Sequence, residues 1–294
     1  MGKIVRTISA DGSVMACAID TTDVVSKIEQ IHQTSAVVTA ALGRLTTAAA
    51  IMGCMLKGEN ESVTLRMKGN GPAGSLIAVS NSHCEVKAYV ENPIVELPLN
   101  AHGKLDVAGA VGTDGFLSVI KDLGLKEPYI GQTPIVSGEI AEDITQYYAV
   151  SEQTPTVCGL GVLVNPDLTV CSAGGYLVQL LPFADENCIH VLEENIEKLP
   201  AVSTMFKNGM TPEEICMQLL EGLEPNLLDE QQAVYRCDCS KTRVEKALIS
   251  LGKQELADMR DELPETEVKC HFCNKAYHFS RADLTELLKQ ATSH

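Results

Sequence analysis

The chain has 294 residues, a formal charge of −16 and 45% apolar residues, enough for one sizeable core and a small second module. That acidity excludes a broad nucleic-acid surface, because phosphates repel such a protein unless it carries a local basic patch. The basic clusters are short, as at Arg236, Lys241, Arg243 and Lys246. Eleven cysteines would suit a disulfide-rich secreted protein, but Met1-Gly2-Lys3-Ile4-Val5-Arg6 has no apolar signal-peptide core. Cys17, Cys54, Cys84, Cys158 and Cys171 lie in apolar or uncharged runs, where free cysteine behaves as a small hydrophobe. A reducing cytoplasm is therefore expected.

In chain order, Lys3–Ser9 and Val14–Asp20 read as a hairpin around Asp11-Gly12. A helix is predicted from Thr22, with Val24, Val25, Ile28 and Ile31 on one face. Ser35–Lys57 is a second helix rich in Ala, Thr and Gly, with Arg44 as its only charge before Lys57. An Arg near the middle of a membrane span costs about 2.5–3.5 kcal/mol. No membrane association is expected, and a helix without a strong polar face is predicted to be buried between layers.

Strand-like runs recur at Ser62–Lys68, Ser75–Ser80, Glu85–Val90, Phe116–Lys121, Thr156–Val164 and Tyr176–Leu181, interrupted by a helix over about 138–151. Gly69-Asn70-Gly71-Pro72-Ala73-Gly74 matches a dinucleotide-binding pattern, but it lies between two strands with no helix following, so it is read as a turn. The fold class is α+β, with residues 1–183 expected to form a compact N-terminal domain of mixed sheets around a buried helix.

Residues 184–234 are expected to be an acidic helical linker. Ile189, Leu192, Ile196 and Leu199 recur at helical spacing, and Thr211-Pro212-Glu213-Glu214 is a capping box with Pro at the first helical position. Short amphipathic helices of this kind fold only when docked. Residues 235–294 are expected to be a small C-terminal module, with Ser240 capping one helix and Ser280-Arg281-Ala282-Asp283 opening another. A unit this small needs a staple.

The staple is legible as Cys237-Asp238-Cys239 and Cys270-His271-Phe272-Cys273. Two close cysteine pairs can supply a tetrahedral sulfur cage, for which zinc is the usual ion. Arg236, Lys241, Lys269 and Lys275 are close enough in sequence to offset the charge of four thiolates; His271 and His278 are rival ligands. Thiolates are also what peroxide attacks, and each cysteine has a resolving partner in its own pair, so oxidation can end in Cys237–Cys239 and Cys270–Cys273 disulfides. Structural zinc in such peptides contributes roughly 10–16 kcal/mol. Loss of the ion should therefore unfold a module with only about 3–5 kcal/mol of its own. Spacing alone leaves a static zinc ribbon and a switch both open.

The same residues resemble a known family, the redox-regulated bacterial chaperones called heat shock protein 33 or 33-kDa chaperonin. The resemblance lies in Tyr235-Arg236-Cys237-Asp238-Cys239-Ser240, Cys270-His271-Phe272-Cys273-Asn274-Lys275, Gly43-Arg44-Leu45, Met55-Leu56-Lys57-Gly58-Glu59, Gly138-Glu139-Ile140-Ala141-Glu142-Asp143, Ser151-Glu152-Gln153 and Gly174-Gly175-Tyr176. It implies an ATP-independent cytoplasmic holdase, inactive when reduced and holding one zinc ion on Cys237, Cys239, Cys270 and Cys273. Oxidation to two disulfides would release zinc, unfold the linker and favour a homodimer that binds unfolding proteins during oxidative stress. No client-binding residue follows from it. Two other classes are a thiol-disulfide oxidoreductase at Cys270-His271-Phe272-Cys273, whose surroundings lack the βαβ setting of such sites, and a zinc ribbon with a static binding role. No triad, P-loop or paired-carboxylate motif marks an enzyme.

Overall fold

The computed structural model describes residues 2–182 and 184–291; the expected domain limits at 1, 183 and 294 lie outside them. The chain divides into two compact units, one ending at Arg236 and one beginning at Cys237. The first unit contains, in order, β1 (Gly2–Ile8), β2 (Val14–Asp20), α1 (Thr22–His32), α2 (Ala36–Cys54), β3 (Ser62–Lys68), β4 (Ser75–Asn81), β5 (Glu85–Val90) and α3 (Val107–Val111). It continues with β6 (Phe116–Asp122), β7 (Tyr129–Pro134), α4 (Ala141–Tyr147) and a π-helical turn over Tyr148–Glu152. Then come β8 (Thr156–Val164), β9 (Val170–Leu180), α5 (Glu186–Lys198), α6 (Val202–Lys207), α7 (Pro212–Leu219) and β10 (Asn226–Tyr235). The second unit contains α8 (Lys241–Ser250), α9 (Lys253–Glu262), β11 (Glu265–Lys269), β12 (Ala276–Ser280) and α10 (Arg281–Ala291). The fold is α+β, as expected.

Ten strands of the first unit form one sheet in the order β7-β6-β3-β4-β5-β10-β1-β2-β9-β8. Neighbours are antiparallel except β10 and β5, which run parallel through Val234↔Glu85 and Tyr235↔Val86. β10 therefore joins two antiparallel halves.

The alternation of side chains along β1 and β2 sends residues to opposite faces. Ile4, Cys17 and Ile19 join the core built on α1 and α2. Val5, Ala16 and Ala18 join a second core with Leu192, Met205, Phe206, Ile215 and Leu219 from α5, α6 and α7. With both faces covered, β2 reads as an almost unbroken apolar run.

Every residue of α2 except Ala36 and Arg44 is buried. By length and composition this helix could cross a membrane, but 94% of its apolar window is buried within the protein. The Thr46 and Thr47 hydroxyls donate to the carbonyls of Leu42 (2.7 Å) and Gly43 (2.8 Å) of the same helix. The Arg44 guanidinium donates to the Glu139 carbonyl at 3.2 Å and pairs with the Glu139 carboxylate.

The segment 184–234 is part of the first unit in this structure. Its helices start where the caps indicate: Asp185 accepts from Cys188 N (2.8 Å), and Thr211 and Glu214 form a reciprocal capping box. β10 was not foreseen, because Asp229-Glu230-Gln231-Gln232 carries no apolar alternation. It is held instead by its ladder with β1 and by the ion pairs Arg6–Asp229 and Lys3–Glu230. β7, α3, α9 and the β11–β12 hairpin were also not foreseen.

α6 lies close against β8 and β9 because two glycines face it. Gly161 and Gly174 are opposite each other in the β8–β9 register. A Cβ at Gly161 would fall 2.5 Å from Ser203 N, and one at Gly174 would fall 2.2 Å from Phe206 Cε2. Gly161→Ala should therefore push α6 outward. The expected cost is about 1–3 kcal/mol in a urea titration, with faster trypsin cleavage at Lys198 and Lys207. Unchanged cleavage would show that α6 does not need this close approach.

Candidate metal centre

Among the described residues the core of the second unit has six buried apolar side chains: Leu248, Leu256, Tyr277, Phe279, Leu284 and Leu287. Cys239 and Cys270 pack against it. Cys239 directly precedes Ser240, whose hydroxyl accepts from Arg243 N (3.2 Å) and starts α8. Cys270 and Cys273 lie in the turn between β11 and β12, which pair from Glu265↔Ser280 to Lys269↔Ala276. The turn closes through Cys270 N to Lys275 O (3.0 Å) and Asn274 N to Cys270 O (2.9 Å). Asn274 takes a left-handed φ of 57°, a conformation that asparagine tolerates better than most residues.

These elements bring the four predicted sulfurs together. Cys237 Sγ lies 3.6 Å from Cys270 Sγ, and Cys239 Sγ lies 3.4 Å from Cys273 Sγ. All four lie within 4.8 Å of one another. A tetrahedral cage of Zn–S bonds of about 2.3 Å has edges of about 3.8 Å, so the donor set and its spacing fit zinc. Neither His271 nor His278 belongs to this group. His278 stands between Glu265 (3.7 Å) and Glu267 (3.6 Å).

Burial opposes ionisation of Cys239, but hydrogen bonds from Tyr277 Oη and from the other three thiols outweigh it and bring this thiol down to about 7. Burial pushes the thiols of Cys237 and Cys273 up. Tyr277 Oη donates to Cys239 Sγ at 3.1 Å, and that bond raises the phenol to about 12. Tyr277 is a contact that the sequence reading missed; only its position four residues beyond Cys273 hinted at it. The expected cationic collar is largely engaged elsewhere. Arg236 pairs with Glu85, Lys241 with Asp283 (3.7 Å) and Lys269 with Glu267 (3.2 Å), while Lys275 sits over the Tyr277 ring. The charge of four thiolates therefore has to be met chiefly by a bound cation.

The chain is similar to known proteins over nearly its whole length. The family model described as "Hsp33 protein" matches residues 2–280. The 33 kDa chaperonin of Clostridioides difficile (strain 630) is 50% identical over 287 residues, covering 98% of each chain. That of Clostridium perfringens (strain SM101) is 46% identical over 289 residues, covering 98% of this chain and 92% of the relative. The crystal structure of the 33 kDa chaperonin (heat shock protein 33 homolog) from Thermotoga maritima superposes with a TM-score of 0.90 at 40% identity, covering 99% of both chains.

Two variants separate ligand from support. Cys239→Ser should abolish tight metal binding and remove the cooperative melting of the second unit, read by circular dichroism and metal analysis. Tyr277→Phe keeps all four sulfurs and should weaken metal retention about tenfold against a chromophoric chelator, the usual effect of losing a partner that orients a ligand.

Proposed function

Because the chain belongs to the Hsp33 family, we propose that it is an ATP-independent chaperone whose hold on unfolding proteins is switched on by oxidation of Cys237, Cys239, Cys270 and Cys273. The observation that carries this is the cluster of four sulfurs within 4.8 Å in a unit with six buried apolar side chains. When bound, zinc keeps the four sulfurs as thiolates and ties together two stretches of chain that the small core holds weakly. In that reduced state the protein is inactive.

Oxidation closes one S–S bond between Cys237 and Cys239 and another between Cys270 and Cys273. Each pair of thiolates gives up two electrons to hydrogen peroxide, whose O–O bond breaks and which takes two protons from solvent to leave as two waters. Disulfide sulfur is a poor metal ligand, so the tie is lost with the thiolates. Pairing within each motif matters physically. Cross-links between Cys237 and Cys270 (sulfurs 3.6 Å apart) or Cys239 and Cys273 (3.4 Å) would staple the same two stretches together covalently.

β10 runs through Tyr235 and Arg236 into Cys237, so unfolding of the second unit pulls on the strand that joins the two halves of the sheet. Detachment of 184–234 would take α5, α6 and α7 away from Val5, Val14, Ala16, Ala18, Tyr176 and Val178. Apolar surface of this kind is what an unfolding client binds. The oxidised chain pairs as a homodimer in a cytoplasmic setting, and binding rather than turnover is its activity.

The test is suppression of aggregation of a chemically unfolded client by the reduced, zinc-loaded chain and by the same chain after peroxide. Strong protection only after peroxide, reversed by reductant, is expected. Equal protection by both forms would overturn the switch. A disulfide map showing cross-pairing would overturn the unfolding step.

A further inference from the structure

β10 is a thin cover. Of its ten residues only Ala233 is buried, while Leu227 and Leu228 are about half exposed (53% and 50%). It is held by its backbone ladder with β1, its two-residue pairing with β5 and ion pairs from Arg6 and Lys3.

Three thiols that the metal centre does not use lie in the core on one face of this sheet, one of them bonded to β10. Cys17 is in β2, Cys54 is the last residue of α2 and Cys84 immediately precedes β5. All are buried, in the same core cluster as Ala233. Cys17 Sγ and Cys54 Sγ are 3.8 Å apart. Cys84 Sγ donates to Gln231 Oε1 of β10 (3.2 Å), and Cys84 O accepts from Val234 N of β10 (3.1 Å).

In the closed sheet Cys54 and Cys84 are held as unreactive thiols. The hydrogen bond with Cys17, and burial, push Cys54 up; the hydrogen bond with Cys54, and burial, push Cys84 up. Arg6 is opposite Cys17 in one register and Asp229 in the other, and its guanidinium is neutralised by that carboxylate of β10. Departure of β10 would remove the cover, the Gln231 acceptor and Asp229 together. It would leave the Arg6 charge facing the thiols, the setting that makes cysteines reactive.

We propose that Cys17 and Cys54 form a second oxidation site, a buried dithiol that peroxide closes to a disulfide once β10 has left its place between β1 and β5. The site deepens the switch proposed above, on whose detachment of 184–234 it rests in the wild-type chain. One S–S bond forms and one O–O bond breaks. Two thiols lose two electrons and two protons, and the peroxide leaves as two waters. The sulfurs must close from 3.8 Å to a bond of about 2.05 Å, and Cys54, in the last turn of α2, gives up its bond to the Ile51 carbonyl (3.0 Å) as they do.

The experiment is differential alkylation with peptide mass spectrometry on the full, metal-loaded chain, in the wild type and in Val234→Pro. This substitution deletes the amide that donates to Cys84. In Val234→Pro, with the four tail cysteines still reduced, alkylation of Cys17, Cys54 and Cys84 should rise at least tenfold, and peroxide should give a peptide bridged between Cys17 and Cys54. In the wild type, peroxide should consume the four tail thiols first and these two afterwards. Where Val234→Pro does not fold, Asp229→Asn with Glu230→Gln loosens β10 by removing its two pairs with β1 and carries the same readout. Three thiols as slow as in the wild type, or open thiols without a bridge, would overturn the dithiol. Tail oxidation that leaves the wild-type thiols closed while the loosened variant forms the bridge would overturn the detachment of 184–234 and not the dithiol.

Discussion

Four sulfurs gathered within 4.8 Å are the constraint on which the second unit depends. Their charge cannot accumulate without a cation, and the nearby lysines and arginines are mostly committed to carboxylates. Six buried apolar side chains cannot organise about fifty-eight residues against chain entropy. On the function proposed above, metal binding and folding of this unit would be one equilibrium, and chemistry that removes the thiolates would act on the fold.

The first unit divides into two parts around one strand. Its sheet is continuous only because β10, a polar strand with one buried side chain, fills the position between β5 and β1. The helices α5, α6 and α7 precede β10 and cover one face of β1, β2 and β9. The stable parts, α2 with its enclosing strands, lie on the other face. The segment that carries α5, α6 and α7 and the elements built around α2 therefore lie on opposite faces of the sheet and in separate parts of the chain, as a segment that detaches while its platform stays folded would require.

Much of this was legible in the sequence where local chemistry decides structure. The apolar run of α2, the Thr211 capping box and the two cysteine motifs each carry their own physical signal. The strands buried on both faces were found by their apolar runs. What could not be read was set by partners distant in sequence. β10 is a strand because Arg6 and Lys3 on β1 receive Asp229 and Glu230. Gly161 and Gly174 are needed for α6, which lies elsewhere in the chain. At the candidate metal centre the four cysteines stand out by their spacing, whereas Tyr277 depends on the β11–β12 register to reach Cys239. The collar of cations inferred from proximity in sequence was mostly diverted by carboxylates that proximity did not reveal.

The central claim is that the metal and the tail thiolates are lost together. It is tested most directly by following released zinc with a chromophoric chelator during mild peroxide treatment, with the tail peptides trapped and counted at each time. One zinc should leave per chain as Cys237, Cys239, Cys270 and Cys273 disappear as thiols, with the same time course. Thiols lost while zinc stays bound, or zinc released while all four remain reduced, would contradict it.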